Sequence, residues 1–379
     1  MRKEEFLTAL RAGLTGLSPE GVEKLVEFCS EMIDDRMEDG LTEEEAVAAA
    51  GPLDELIKQA KTELLPVKTA NFPEKTTFGD TLRTYTAESN ICGVVADCGP
   101  ADFQILPSET GTCRVECTEN ETVRYAVTTE NSVLHIRRAD SRTVFSFFKF
   151  YRAQRSEPVR VYLPQGAYKL IDVKTTSGDI AIPAGYTFDT ASLHGLSGDI
   201  ACCAACGSLS AHTASGDIAL KNIKCGAAEL CAASGDATLE NIKLGKNSRI
   251  ETASGKVQIT NLEAAELNIE TASGNVKINN AACAALQVGT ASGDAELTRT
   301  VSASTMEVGT ASGSIRLQNC DAASLMLESH SGNITGTLNT GKIFRTSSIS
   351  GKIDVPLNSG EGLCKIETHS GSIRIKIAE

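Results

Sequence analysis

Four aspartates recur at one spacing and are the residues of this chain best suited to bind a cation. Each follows a Ser-Gly dipeptide, at intervals of 18 to 20 residues: Asp179, Asp199, Asp217 and Asp236. If these intervals stack in space, the carboxylates lie ~5 Å apart, close enough for a row of oxygen ligands to recruit Ca²⁺. The alternative is that each carboxylate accepts a hydrogen bond from a turn backbone, since later copies carry uncharged residues such as Asn275 at the same position. The uncharged replacements favour the second interpretation, so we predict no metal site.

An aromatic segment with basic neighbours is the candidate for contact with a partner. It contains Phe145, Phe147, Phe148, Phe150 and Tyr151 among one lysine and two arginines. Rings and positive charges in this arrangement favour docking on a protein partner or on a membrane surface. The same rings would also plug an open end of the fold, where a cap needs large side chains. Both interpretations stay open from the sequence.

The remaining polar residues form no catalytic motif. The five histidines include no HExxH motif, and the chain has no GxSxG or phosphate-loop spacing. His330 and His369 occupy the same place two repeats apart, which predicts a separation of about 10 Å and no shared metal ion. We therefore predict no catalytic residues, no cofactor and a function other than catalysis.

The repeat that carries the aspartates determines the fold class. Ser-Gly recurs eleven times with this period, at Ser177, Ser197, Ser215, Ser234, Ser254, Ser273, Ser292, Ser312, Ser331, Ser350 and Ser370. A period near 19 is too short for two helices and their turns but fits one coil of a β-solenoid. Within each copy the fourth and sixth residues are mostly apolar and the fifth varies, as in Val257, Gln258 and Ile259. This alternation is typical of a strand with one buried face.

Two corners are predicted in each coil. The glycine of Ser-Gly is expected to adopt a left-handed or similarly tight conformation. Asparagine recurs at the eighth position, at Asn222, Asn241, Asn261, Asn280 and Asn319, where a polar side chain tolerates positive φ. Stacked coils would place these asparagines in a hydrogen-bonded ladder.

Composition agrees with a narrow solenoid and limits the classes of partner. The chain has no tryptophan and only 4 % aromatic residues, as expected where the interior has little room for rings. The N-terminus lacks the apolar core of a signal peptide, so we expect a cytoplasmic protein whose thirteen cysteines are reduced thiols. The net charge is −13, and residues 1–65 hold 16 acidic and 7 basic side chains. This excess of acid disfavours nucleic acid as a partner and favours a protein.

The composition changes along the chain indicate four parts. They are an acidic helical domain at 1–65, a linker at 66–84, irregular opening coils or a cap of the solenoid at 85–176, and the regular Ser-Gly repeats at 177–379.

Two of these parts resemble known families. Residues 1–65 contain LSPEGVEKLVEFCSEMIDDRMEDGLTEEEAVAAAGP and resemble the bacterial HAAS domain, a small helical signalling module. Residues 85–379 contain VRVYLPQGAYKLIDVKTTSGDIAI and the Ser-Gly-Asp-Ile copies, and resemble the bacterial putative-adhesin family of β-strand repeat proteins of unknown function. The second resemblance implies a right-handed β-solenoid and brings no catalytic residues.

Together these observations predict a mainly β protein, a single-chain β-solenoid of ~19-residue coils behind a small all-α domain. The predicted function is that of a non-enzymatic scaffold or binding protein, coupled to a signalling module in bacterial regulation or stress response. The alternative is a cell-surface adhesin that binds carbohydrate or protein along the side of the solenoid.

Overall fold

The computed structural model describes residues 3–14, 80–87, 90–120, 123–140, 157–357 and 360–378, with isolated positions between residues 22 and 47. The N-terminal part has one described helix, α1 Lys3–Gly13. Phe6, Leu10 and Leu14 are buried on one side of it, as their spacing predicts. Most of the later predicted helices lies outside the described residues.

The rest of the described chain is built from strands. In chain order they are β1 Thr81–Thr86, β2 Gly93–Gly99, β3 Phe103–Pro107, β4 Arg114–Glu119, β5 Val123–Glu130, β6 Val133–Asp140, β7 Val159–Leu163, β8 Gly166–Thr175, β9 Ile180–Ile182, β10 Tyr186–Gly195, β11 Ile200–Cys202, β12 Ala205–Thr213, β13 Ile218–Lys221, β14 Lys224–Ala232, β15 Ala237–Leu244, β16 Ser248–Thr252, β17 Val257–Thr271, β18 Val276–Thr290, β19 Ala295–Thr310, β20 Ile315–Ser329, β21 Ile334–Leu338, β22 Ile343–Ser348, β23 Ile353–Asp354, β24 Leu363–Thr368 and β25 Ile373–Ile377.

Successive coils stack as parallel rungs in register. β17 pairs with β18, β18 with β19 and β19 with β20, each over nearly a whole coil. Equivalent residues lie side by side, so that Val257 is beside Val276 and Val276 is beside Ala295. Alternate side chains are buried inside the coil, and those between them face solvent. The predicted fold class, a mainly β solenoid with a helical N-terminus, is confirmed.

The Ser-Gly corner differs from its prediction. The glycines with positive φ are Gly99, Gly111, Gly166, Gly185 and Gly362, and none of these belongs to a Ser-Gly dipeptide. The left-handed alternative is therefore wrong, and the other alternative, a tight bend without positive φ, is what the corners adopt. Glycine is required because the corners stack too closely for a side chain. A Cβ on the glycine of one corner, for example at position 274, would overlap the carbonyl oxygen of the glycine one rung earlier.

The asparagine corner agrees with its prediction. The five asparagines have φ between 53° and 61°. Their side chains form a ladder in which Asn241 Nδ2 donates to Asn222 Oδ1 at 2.8 Å, and Asn280 Nδ2 donates to Asn261 Oδ1 at 2.7 Å. Arg299 interrupts the ladder at the same corner with φ of 47°, a conformation that costs an arginine more free energy than an asparagine.

A side-chain hydroxyl supports most of the Ser-Gly corners from inside. Thr310 Oγ1 accepts a hydrogen bond from the Gly313 N–H at 3.0 Å and donates to the Gly293 carbonyl oxygen at 3.1 Å. Threonines in the same place on other rungs make the same pair of bonds, at Thr213, Thr252, Thr271 and Thr290. The hydroxyl therefore links two successive rungs at the point where their backbones are closest.

Both ends of the solenoid depart from the order of the sequence. At the N-terminal end β2 lies between β6 and β8, and β3 lies between β7 and β9. At the C-terminal end β24 lies between β20 and β22, and β25 lies between β21 and β23. The last strands of the chain are thus held inside the stack, and β22 with β23 forms the final rung.

The two ends are also finished differently. β4 runs antiparallel to β7 and covers its edge, and β1 pairs with β4. At the other end β22 pairs with β24, and β23 pairs with β25. Within the described part of the chain, no strand pairs with the outer edge of this final rung.

Candidate functional site

The four predicted aspartates lie in one row on successive rungs. Asp179 Oδ1 accepts the N–H of Asp199, Asp199 Oδ1 accepts that of Asp217, and Asp217 Oδ1 accepts that of Asp236, each at 2.8 Å. Asp102 extends the row in the other direction, because its Oδ1 accepts the N–H of Asp179 at 3.0 Å. Asp102 was not among the predicted residues, because it belongs to the rung that enters the stack out of sequence order.

Uncharged residues take over the same bond further along. Asn275 Oδ1 accepts the N–H of Asp294 at 2.9 Å, and Asn333 Oδ1 accepts that of Ser372 at 2.8 Å. In each case a side-chain oxygen accepts a hydrogen bond from a backbone N–H at the corner, which is the alternative to cation binding that the sequence favoured. The lack of calcium binding by the aspartate row stays a prediction.

The aromatic segment Phe145, Phe147, Phe148, Phe150 and Tyr151 lies outside the described residues. Its contact with a protein partner or a membrane surface therefore also stays a prediction.

The separation predicted for His330 and His369 is wrong. Their rings stack with centroids 4.8 Å apart and planes inclined by 17°. The cause is the order of the rungs: β24 inserts directly beside β20, so that His369 follows the rung of His330 instead of lying two rungs away.

A second cluster of histidine and cysteine was not predicted. His194, His212 and Cys231 are opposite one another on β10, β12 and β14. The rings of His194 and His212 stack with centroids 5.2 Å apart. Glu229 lies on β14 beside Ser210 in the register. Among the described residues, His212, Glu229 and Cys231 are the one set of three potential metal ligands whose ligand atoms all lie within 4.8 Å of one another.

The surrounding residues shift the pKa values of two side chains in this cluster, His194 and Cys231. Burial lowers the pKa of His194, and the charge of the neighbouring His212 lowers it further. Burial raises the pKa of the Cys231 thiol, and the carboxylate of Glu229 adds to this effect. Of the thirteen free cysteines, Cys231 is one of three that are only half-buried, so its sulfur is accessible.

The cluster lies at one end of a shallow groove that crosses several rungs. The groove has a volume of about 1030 Å³, and its lining includes His194, His212, Cys231, Glu251 and Glu270. Between these side chains the lining is mostly alanine and threonine from the approach to each Ser-Gly corner. The small residues make the groove accessible to a flat ligand or an extended chain.

The final rung presents the second surface of interest. Ile349 is 72 % exposed and Leu357 is 91 % exposed, and Ile343 and Ile353 are also exposed. We call these four residues, together with the outer edge of β22 and β23, the open rung. Exposed apolar side chains at the outermost described strand of a sheet are typical of a surface that binds another protein.

Comparison with known protein families agrees with this architecture. The family described as Toastrack DUF4097 matches residues 96–299 and 264–379. The chain belongs to the Toastrack DUF4097 family. The HAAS family matches residues 5–59, so this Toastrack solenoid follows a HAAS domain, and both resemblances noted in the sequence are confirmed.

Two solved structures are similar to this Toastrack chain at low identity. A putative adhesin from Bacteroides fragilis NCTC 9343 is 15 % identical, with 79 % of this chain and 97 % of that chain covered and a TM-score of 0.34. A putative cell adhesion protein from Clostridium sporogenes ATCC 15579 is 10 % identical, with 79 % and 100 % covered and a TM-score of 0.20. A search of curated proteins found no match. None of the described helices has the length and apolar character needed to span a membrane.

Proposed function

We propose that this chain is a non-enzymatic scaffold, in which the solenoid binds a protein partner and the HAAS domain couples that binding to bacterial regulation or stress response. The observation that carries the proposal is the open rung, the last rung of a long stack, with exposed apolar side chains and an outer edge that pairs with none of the described strands. The protein acts in the cytoplasm, and its partner is a protein rather than nucleic acid.

The open rung offers two kinds of interaction. Its edge has backbone N–H and C=O groups that can pair with an added strand of a partner. Its apolar side chains can be buried by that strand, and burying an isoleucine or leucine contributes about 1.5–3 kcal/mol for each residue. Ile349 and Leu357 have the most exposed area to bury. Natural proteins rarely leave a strand edge exposed beside large apolar side chains unless another chain covers that edge.

The charged residues of the final rung indicate which side chains a partner should carry. Arg345 and Lys352 lie on the final rung and are exposed. The carboxylate on this rung, Asp354, already pairs with Arg374 at 3.7 Å. The surface therefore favours an extended segment that carries apolar side chains and acidic groups.

A capture experiment with matched variants tests the proposal. The full chain, a double variant Ile349→Lys with Leu357→Lys, and a control Met326→Lys are used as baits in extract from the native host. Met326 is 41 % exposed on the side of β20, so the control also replaces an exposed apolar side chain by lysine, at one position away from the open rung. We expect a protein that the full chain and the control capture and that the double variant does not.

Two results would contradict the proposal. Capture that is unchanged by the double variant would place binding elsewhere on the solenoid. Recovery of the protein outside the cell, with binding to carbohydrate or protein along the solenoid side, would support the adhesin function instead. Self-association through the open rung would appear in the same experiment as capture of a second copy of this chain.

A further inference from the structure

The cluster around His212 combines three types of metal ligand on adjacent strands. In the parallel register His212 is the direct partner of Cys231, and Ser210 is the direct partner of Glu229. Residues two apart on a strand point to the same face. Glu229 and Cys231 therefore flank the space beside His212, on the outer surface of the solenoid.

The distances suit one ion after small side-chain rotations. The ligand atoms of His212, Glu229 and Cys231 lie within 4.8 Å of one another. Tetrahedral zinc, with ligand bonds of about 2.0–2.3 Å, needs ligand atoms about 3.5 Å apart. Glu229 is exposed, and His212 and Cys231 are half-buried. These side chains therefore have room to close the difference without moving the strands.

The imidazole is already oriented by a neighbour. His212 Nε2 lies 2.7 Å from Ser210 Oγ, and the His194 ring packs against its face. A hydrogen bond to one ring nitrogen fixes the ring and leaves the other nitrogen to bind metal, which is the usual support around a metal-bound histidine. His194 makes the equivalent bond to Ser192 at 2.9 Å.

We propose that His212, Glu229 and Cys231 form a Zn²⁺ site with a fourth position open to water or to a ligand in the groove. Thiolate, imidazole and carboxylate are the side chains that zinc prefers, and three protein ligands with an open position is an established arrangement. Binding converts the Cys231 thiol to thiolate and releases its proton to solvent. The site is independent of the open rung and of the function proposed for it.

Metal titration of the full chain tests this site. After chelation and dialysis under reducing conditions, Zn²⁺ is titrated by calorimetry, and Co²⁺ is titrated while the sulfur-to-cobalt charge-transfer absorption is recorded. The test variants are Cys231→Ser and His212→Gln. The controls are Cys203→Ser, which changes another half-buried cysteine, and His330→Gln, which changes a member of the other stacked histidine pair.

We expect one equivalent of Zn²⁺ to bind to the full chain and to both controls. Each test variant removes a metal ligand and should weaken binding by more than the roughly 10- to 100-fold that loss of a residue supporting a ligand costs, and Cys231→Ser should abolish the charge-transfer band. The four variants change side chains that are exposed, at His330, or half-buried, at the other three positions, and circular dichroism of each variant is used to check that it is folded. Zinc binding that survives both test variants, or a folded full chain that binds no Zn²⁺, would overturn the proposal.

Discussion

Replacing a corner glycine by alanine should disrupt the contact between two rungs. In Gly313→Ala the new Cβ would overlap the carbonyl oxygen of Gly293 and lie 2.5 Å from its carbonyl carbon. It would also lie 2.9 Å from Thr310 Oγ1. Real Cβ atoms essentially never approach other heavy atoms within 3.0 Å, and the atoms it meets belong mainly to backbone. Relief of the overlap therefore requires the two rungs to separate by about 1 Å.

The cost follows from the bonds that cross this corner. Ser312 N–H donates to the Ala291 carbonyl oxygen at 3.0 Å, and Thr310 Oγ1 donates to that of Gly293 at 3.1 Å. Each such bond contributes about 1 kcal/mol net, and forced overpacking of a close contact costs about 1–3 kcal/mol. We expect Gly313→Ala to lower the free energy of unfolding by about 3–5 kcal/mol.

Gly309→Ala is the matched control on the same rung. A Cβ on Gly309 would have no other heavy atom within 4 Å, and its φ is not positive. Alanine in a strand interior is favoured over glycine by about 0.5–1 kcal/mol. Equilibrium unfolding in urea, followed by circular dichroism, should therefore show opposite shifts for the two variants. Equal stability of Gly313→Ala and Gly309→Ala would refute the explanation of the Ser-Gly repeat by close stacking.

Three further variants test other parts of the fold. Arg299→Asn should stabilise the protein by about 1 kcal/mol, measured by urea unfolding, because asparagine tolerates the left-handed corner. Lys342→Ala should destabilise it by about 3–5 kcal/mol, since Lys342 Nζ forms a buried ion pair with Asp321 Oδ1 at 2.6 Å. Asp294→Asn should reduce stability only above about pH 4 in an acid series. The Ser314 N–H and then the Arg316 guanidinium hold the pKa of Asp294 below its usual 3.8, so its contribution is present above that value and is lost as the pH falls below it.

Each of these variants has a result that would contradict the reasoning. Arg299→Asn would do so by destabilising the chain. The double variant Lys342→Met with Asp321→Leu should be more stable than Lys342→Ala, because it leaves no buried charge without its partner. A double variant that is less stable than Lys342→Ala would contradict the role given to the ion pair. For Asp294→Asn, the reasoning would be contradicted if the difference in stability between the variant and wild type became larger as the pH falls.

The sequence was sufficient to predict the solenoid because successive coils repeat the same pattern of buried and exposed residues. Alternation such as Val257 and Ile259 specifies strands with one buried face, and the period specifies that equivalent faces stack. The asparagine corner was also predictable, because few residues other than glycine tolerate positive φ. The role of the Ser-Gly glycine was misjudged, because close approach between rungs depends on long-range packing and leaves no local signal.

The order of the rungs at the two ends could not be read from the sequence. Every coil presents the same pattern of donors and acceptors along its edge, so any two coils can pair equally well. This is why the predicted separation of His330 and His369 was wrong. The signal for the zinc cluster was available: His194, His212 and Cys231 each lie three residues before the serine of a Ser-Gly dipeptide. Their proximity follows from the same stacking that placed the aspartates in a row.

Hydrogen exchange at the C-terminal end tests the central claim most directly, namely that the last strands of the chain are inserted into the stack and leave β22 and β23 as the open rung. Amides exchange slowly where they are held between two paired neighbours and faster at an edge. Mass spectrometry of peptides covering 343–354 and 363–377 should show that 363–377 exchanges more slowly, although it lies nearer the end of the chain. Faster exchange of 363–377 than of 343–354 would mean that the coils stack in sequence order, and the open rung would not exist.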